Sequence, residues 1–341
     1  MVFTWNVANR QSVTERINPN FTVKRIRGVN LALRPLFSEY PLIPSLDTEI
    51  SSCNPGLIDA HSHLFLPSFQ AIRIAKKLGI PSVLTVHGVM AQRDNVTNLL
   101  QEAYLRLVAS RALADATVVV CLTKRDADTM AHFGCPQEKI RIVPNAVDAE
   151  LFSPGPHRDE KTILWVGRMV PEKGVRHLAE VIDLVIEGDK TTRFVIIGDG
   201  PLRRLLHDSI AGRDWQNRVS ILGRQSREVV SEWMGRASVF LFTSSREGFP
   251  KVILEALSSG LPIVSFDLPG LNGVVEHGLD GLMVPPGDTA AMAKSVLSIV
   301  GDSDLGKKLG QHGRKRVLDT YTWELVLDLL SNVYLEALSM V

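Results

Sequence analysis

Glu247 and Glu255, two carboxylates with seven residues between them, and the cations Arg168 and Lys173 are the side chains best suited to chemistry. Both acids lie in the stretch FLFTSSREGFPKVILE, residues 240–255. The apolar run Val239 to Phe242 reads as a buried strand that Thr243-Ser244-Ser245 ends, and Glu247-Gly248-Phe249-Pro250 then turns the chain into a helix holding Glu255. One acid therefore stands on a strand-end loop and the other inside the next helix. Both can reach one crevice at the carboxyl end of a parallel strand, where open α/β sheets bind ligands. A surface role for Glu255 fits poorly, because Val252, Ile253, Leu254, Ala256 and Leu257 surround it with apolar positions. A half-buried acid needs a partner.

The cations sit in Val166-Gly167-Arg168-Met169-Val170-Pro171-Glu172-Lys173-Gly174, which follows a strand and opens a helix. Gly167 lets the backbone turn tightly, and the helix after Gly174 offers free amides and a positive dipole end. Arg168 supplies a bidentate fork and Lys173 a point charge, the two usual ways to hold a diphosphate. Two solvated charges near a turn would be the bland reading, but the strand–turn–helix context and the downstream acids outweigh it. Gly198-Asp199-Gly200 imitates a dinucleotide turn, yet Arg203 stands where the third glycine or alanine belongs, so a chain-redirecting turn is expected. A glycosidase reading of the two acids needs carboxyl groups roughly 5 to 10 Å apart and leaves Arg168 and Lys173 unexplained.

The elements that must position these groups alternate from about Gly56 onward between short apolar runs and amphipathic stretches, the pattern of βαβ units. Strands are predicted at Gly56–Ala60, Ser82–Val86, Thr117–Cys121 and Ile140–Val143, with helices at Pro67–Leu78, Asn98–Leu113 and Lys124–His132. A second series follows at Thr162–Val166, Arg193–Ile197, Val219–Leu222, Val239–Phe242, Pro262–Ser265 and Gly281–Val284, with helices near 174–187, 201–211, 226–236, 250–259 and 288–299. Two sets of parallel strands imply two Rossmann-like domains. The Pro-containing segment Phe152–Pro156 makes the linker, giving domains at 1–153 and 154–320 and a last helix within 321–341.

A chain of 341 residues is long enough for two cores, and a net charge of +1 offers no basic field for nucleic acid. Cys53, Cys121 and Cys135 have no metal-like spacing, and a disulfide framework is not expected, which suits a reducing cytoplasm. No apolar run approaches the roughly 18 residues that span a bilayer. The basic, partly apolar segment Arg73 to Lys77 raises a peripheral contact with the inner face of a membrane, although a solvated helix face is the better reading. His61 and His63, two apart, could suggest a metal, but no third ligand is evident and no metal site is expected. Together with His87, they lie just past strand ends and point to the crevice.

Taken together, the acids and the Gly167–Gly174 segment resemble the Glu-x7-Glu and G-R-x-x-x-x-K-G motifs of glycosyltransferase family 4, the retaining group with the GT-B fold. The resemblance extends to Pro144–Asp148, Gly260–Gly270 and Asp280–Asp288. One departure is Gly273, where many relatives carry an acid four positions before His277. The resemblance implies two Rossmann-like domains facing a central cleft and a terminal helix crossing back to the first. It also implies transfer of a hexose from a nucleotide diphosphate sugar, UDP- or GDP-linked, to a glycan or lipid-linked acceptor with retention of configuration. Arg168 and Lys173 would bind the diphosphate, Glu247 the sugar hydroxyls and Glu255 the ribose. Gly167, Gly248, Phe249 and Pro250 would present backbone nearby, and Gly223 would seat the base, with Arg224 a weaker candidate. His87, in the T-x-H-G position, would approach the sugar, with His63 less favoured. No cofactor and no metal would be required. The family's relatives open with a strand, a glycine-rich loop and a helix, whereas Met1–Trp5 already resembles their second strand and Phe21–Val29 their third. The expectation is that this first unit is missing. Its loss raises the alternative of a catalytically silent nucleotide-sugar-binding protein or partner subunit.

Overall fold

The computed structural model describes residues 1–5, 12–31, 41–62, 64–88, 95–211, 215 and 217–340. The chain divides into two compact units: Met1–Val143 with Asp328–Val341, and Pro144–Leu327. The first division precedes the Pro-containing segment Phe152–Pro156.

The first unit begins with β1 (Val2–Trp5), β2 (Val13–Asn18) and β3 (Phe21–Ile26), in the order β1-β3-β2. β1 runs parallel to β3, and β2 is antiparallel to it. β2 is a strand that the pattern did not announce. All six of its residues are exposed, so no apolar alternation marks it. A short antiparallel pair, β4 (Val29–Asn30) and β5 (Pro41–Leu42), and α1 (Leu46–Ser52) lead into the βαβ series.

That series comprises β6 (Ile58–His61), α2 (Leu66–Leu78), β7 (Ser82–Val86), α3 (Asn95–Tyr104), α4 (Ser110–Asp115), β8 (Val118–Cys121), α5 (Lys124–His132) and β9 (Ile140–Ile142). The four strands form a parallel sheet in the order β6-β7-β8-β9. Every residue of β7 and β8 is buried, as expected for parallel strands covered on both faces. A π-helical turn, Leu105–Ala109, joins α3 to α4 where one continuous helix was expected.

The second unit holds β10 (Thr162–Val166), α6 (Val175–Gly188), β11 (Arg193–Ile197), α7 (Arg203–Ile210), β12 (Val219–Gly223), α8 (Arg227–Arg236), β13 (Val239–Phe242), α9 (Lys251–Ser258), β14 (Ile263–Phe266), β15 (Gly281–Val284), α10 (Thr289–Gly301) and α11 (Ser303–Thr320). All six strands are parallel, in the order β12-β11-β10-β13-β14-β15. The winding proceeds outward from β10 to β12, then returns to the other side of β10 for β13. The carboxyl ends of β10 and β13 therefore flank the switch point, where a doubly wound sheet opens its ligand crevice. α6 buries Val175, Leu178, Val181, Ile182, Val185 and Ile186, a stripe at helical spacing. Each such side chain contributes about 1.5–3 kcal/mol relative to exposure.

The last helix, α12 (Trp323–Ser339), starts in the second unit, and its residues from Asp328 onward belong to the first. Within the first unit Arg141 forms an ion pair with Glu336 of this helix. Among the described residues no helix is long and apolar enough to cross a membrane.

Candidate active site

The loops that follow β10 and β13 carry the cations and Glu247, and backbone contacts fix both. After β10, the Gly167 N–H donates to the Ile197 carbonyl at 3.0 Å and the Met169 N–H to that of Asp199 at 2.8 Å. The loops after β10 and β11 pass so closely that a Cβ on Gly198 would lie 1.8 Å from the Gly167 carbonyl oxygen. The Gly198 N–H in turn reaches the Gly223 carbonyl at 2.8 Å, tying in the loop after β12. Three strand ends are thus stitched side by side through glycines. The first and third of these glycines were expected to shape the donor site.

Lys173 ends a single 3-10 turn, Pro171–Lys173, before Gly174 opens α6. Its carbonyl accepts from the Thr243 hydroxyl at 2.9 Å, and Thr243 Oγ1 accepts from Trp165 Nε1 at 3.0 Å. The Ser245 N–H donates to the Glu172 carbonyl at 2.9 Å. The end of β13 therefore grips the backbone that carries Lys173. Nothing in the sequence pattern assigned Thr243 and Ser245 this work beyond ending a strand.

With both backbones held, Lys173 Nζ lies 2.5 Å from Glu247 Oε1 and 5.8 Å from the centre of the Phe242 ring. The two side chains retain 22% and 12% exposure, so the pair is largely withdrawn from water yet reachable. Beneath Glu247, the β14 side approaches without a side chain, since a Cβ on Gly270 would lie 2.1 Å from the Glu247 carbonyl oxygen. Arg168 is exposed on the same loop as Lys173. Gly248, Phe249 and Pro250 lead into α9, and the Phe249 ring packs edge-on against Tyr321 at 5.9 Å. Lys173 thus stands just before the start of α6 and Glu247 shortly before the start of α9, and helix starts favour anions.

Glu255 sits in the second turn of α9 and is half-buried. Burial raises its pKa above the ordinary 4.5, and the charges of Arg227 and Lys251 oppose that shift. Glu255 answers to these two cations and Glu247 to Lys173, so the two acids do not share one partner. A carboxylate whose folded pKa is raised binds its proton more readily in the native state, so stability falls as pH rises from the ordinary value through the raised one. Replacing Glu255 by Gln should therefore stabilise the protein against urea at about pH 8, with the gain shrinking toward about pH 4. Equal stability of both proteins at both pH values would refute the burial cost.

At the β12 end, Gly223 has φ +70, and a Cβ there would lie 3.5 Å from the Arg203 guanidinium. Arg224 is exposed. In the first unit, His87 is exposed just past β7, and its Nε2 lies 2.8 Å from His61 Nδ1. His61 Nε2 lies 3.3 Å from Asp59 Oδ2. Asp59 was not among the expected site residues. Its place two positions before His61 on one strand was the only available signal. His63 lies outside the described residues.

A model described as Glycosyltransferase Family 4 matches residues 3–151, and one described as Glycosyl transferases group 1 matches residues 160–302. The chain is 28% identical over 285 residues to alpha-D-kanosaminyltransferase of Streptomyces kanamyceticus, covering 79% of this chain and 74% of that one. It is 24% identical over 282 residues to glycogen synthase of Mycobacterium tuberculosis, covering 81% of this chain and 68% of that one. Among solved structures, Anabaena HepE in complex with UDP superposes with a TM-score of 0.76 at 18% identity, over 94% of this chain and 86% of that one. Sucrose-phosphate synthase from Thermosynechococcus elongatus gives a TM-score of 0.76 at 20% identity, over 99% and 89%. These two structural likenesses establish a shared fold.

Proposed function

The chain is a glycosyltransferase of the GT-B fold, with one glycosyltransferase model matching each half, and from that premise we propose that it transfers a hexose from a nucleotide diphosphate sugar to a glycan or lipid-linked acceptor with retention of configuration. The observation that carries this reading is the Lys173–Glu247 pair at the β10/β13 switch point. A diphosphate placed there meets Lys173, Arg168 and the amide ends of two helices, while Glu247 accepts from hydroxyls of the sugar. Glu255 takes the ribose, and backbone at Gly223 takes the base.

In the proposed reaction the bond from the anomeric carbon to the diphosphate oxygen breaks, and the acceptor oxygen bonds to that carbon on the same face. The acceptor proton passes to a phosphate oxygen of the departing nucleotide. Arg168 and Lys173 stabilise the charge that grows on that group, a contribution realised mainly in the transition state. We place the reaction in the cytoplasm.

UDP-hexoses are the first donors to try, because a structural neighbour was solved with UDP. A thermal-shift panel of UDP- and GDP-linked sugars, followed by product analysis with the best binder, tests the reading. A ligand that binds only the folded state raises the melting temperature, by an amount that grows with concentration above its Kd. The expected result is a shift with one nucleotide sugar and transfer or slow hydrolysis of its hexose. The absence of both a shift and turnover with every member of the panel would contradict it.

A further inference from the structure

Behind the loop that carries Glu247, the second unit holds a buried scaffold centred on Tyr321, the residue that follows α11. Tyr321 is 7% exposed. Its N–H donates to the Val317 carbonyl at 2.8 Å, and its carbonyl accepts from the Val147 N–H at 2.9 Å. The backbone is thus held on both sides before the side chain reaches anything. The ring meets the Phe249 ring edge-on, with centroids 5.9 Å apart and planes at 68°. The hydroxyl donates to the Gly273 carbonyl at 2.9 Å.

Both side-chain contacts lead to Glu247. Phe249 follows it by two residues, and the Phe249 carbonyl also accepts from Asn145 Nδ2 at 3.3 Å. Gly273 belongs to the segment between β14 and β15, whose Gly270 passes under Glu247. A Cβ on Gly270 would lie 2.1 Å from the Glu247 carbonyl oxygen and 2.7 Å from that of Gly248. Backbone meets backbone there, so a shift of this segment must move the loop above it.

The segment is itself fixed beyond Gly273. Asp280, its side chain 1% exposed, pairs through Oδ2 with Arg316 Nε of α11 at 2.6 Å. Asp280 Oδ1 accepts from the Glu276 N–H at 2.7 Å, and Leu271, Val274 and Val275 are buried. Gly273 has φ +82, in the left-handed region that favours glycine, and presents its carbonyl to the Tyr321 hydroxyl. The sequence departure at Gly273 therefore has a structural counterpart. One helix end supplies both Arg316 and Tyr321 to the same segment. A ring would suffice to fill the space behind Phe249, whereas a phenol that also ties down the neighbouring segment does more than fill it.

We propose that Tyr321 is a positioning residue for Glu247. It acts through Phe249 on one side and through the Gly273–Gly270 segment on the other, with Asp280 and Arg316 anchoring that segment. A carboxylate that receives sugar hydroxyls must be held closely, because a misplacement of about 1 Å can cost about 10²-fold in rate. That consequence for catalysis rests on the proposed function. The support of the loop does not.

The test compares Tyr321→Leu, which removes ring and hydroxyl, with Tyr321→Phe, which keeps the ring, in the full chain. Each is made in wild type and in Glu247→Ala, with circular dichroism to confirm folding. Amide hydrogen exchange is followed at Leu271, Val274 and Val275, whose N–H groups are bonded within the segment. Rates are taken relative to the β10 amides, which removes any change in global stability. Tyr321→Leu should speed exchange at the three amides at least about tenfold and Tyr321→Phe about threefold. Tyr321→Leu should also lower kcat about 10- to 100-fold while nucleoside diphosphate affinity stays within about twofold, and Tyr321→Phe should recover most of that rate. In the Glu247→Ala background the same change should cost no more than about twofold, because the group being positioned is gone. Wild-type exchange in both Tyr321 variants, a wild-type kcat in Tyr321→Leu, or an equal kcat loss in both backgrounds would overturn the proposal. If Tyr321→Leu does not fold, wild-type exchange and kcat in Tyr321→Phe would overturn it alone. Exchange that responds as described in a protein that turns over no nucleotide sugar would uphold the scaffold and sink the proposed function instead.

Discussion

Lys173→Ala is expected to lower kcat for nucleotide-sugar turnover by about 10²- to 10³-fold, the usual effect of removing one preorganised group from a developing anion. The lysine is not a free surface charge. Its carbonyl is held by Thr243, the preceding carbonyl by Ser245, and its ammonium rests 2.5 Å from Glu247. A group so fixed costs no reorganisation when charge appears on the leaving diphosphate. Glu247→Ala should lose a similar factor for a different reason, through the hydroxyl contacts that orient the sugar. The double variant should lose much less than the product of the two, because each single change already breaks the pair. Steady-state kinetics on the three variants, with circular dichroism to confirm folding, decides the point. Wild-type rates in both single variants would refute the site.

Gly174→Ala should cost about 3 kcal/mol or more of stability and abolish donor binding. A Cβ at this position would lie 1.9 Å from the Thr243 carbonyl oxygen, which belongs to backbone and cannot swing aside. The residue also has φ +66, where an L side chain adds strain of its own. Overpacking typically costs 1–3 kcal/mol and left-handed strain a further 1–2, which sets the size of the estimate. The damage is local to function as well, since any relief must push the loop carrying Lys173 away from β13. Urea unfolding measures the first effect and nucleotide titration the second. A variant of wild-type stability would show that the two loops do not pack this closely.

Legibility in the sequence followed how strongly each element depends on apolar pattern. The strands at Thr162–Val166, Arg193–Ile197 and Val239–Phe242 fall where their apolar runs placed them, because most of their residues are buried and a covered parallel strand is largely apolar. α11 had no such signature. Its sequence holds Gly306, Gly310 and Gly313, and its buried face is made partly of glycine. A Cβ on Gly310 would lie 2.1 Å from the Gly260 carbonyl oxygen, so the helix packs by backbone approach and hides its amphipathic stripe. β2 was missed for the opposite reason, being exposed along its whole length.

In the site, Lys173 and Glu247 were read from their strand-end positions, and the structure brings them together. The grip of Thr243 and Ser245 on the lysine loop could not be read, because it depends on which strand neighbours β10. That adjacency comes from the order of the sheet, which local sequence does not encode. The Asp59–His61–His87 line was hidden in the same way. Its members come from the ends of two strands, with 26 residues between His61 and His87 in the chain numbering.

Calorimetric titration of a nucleoside, its monophosphate and its diphosphate into wild type and Lys173→Ala tests most directly whether the β10/β13 switch point is a diphosphate site. The expected result is that wild type binds the diphosphate at least about tenfold more tightly than the monophosphate, roughly 1.4 kcal/mol, and that Lys173→Ala loses this increment while nucleoside affinity stays the same. Equal affinity for all three ligands in wild type, or an increment that survives in Lys173→Ala, would contradict it.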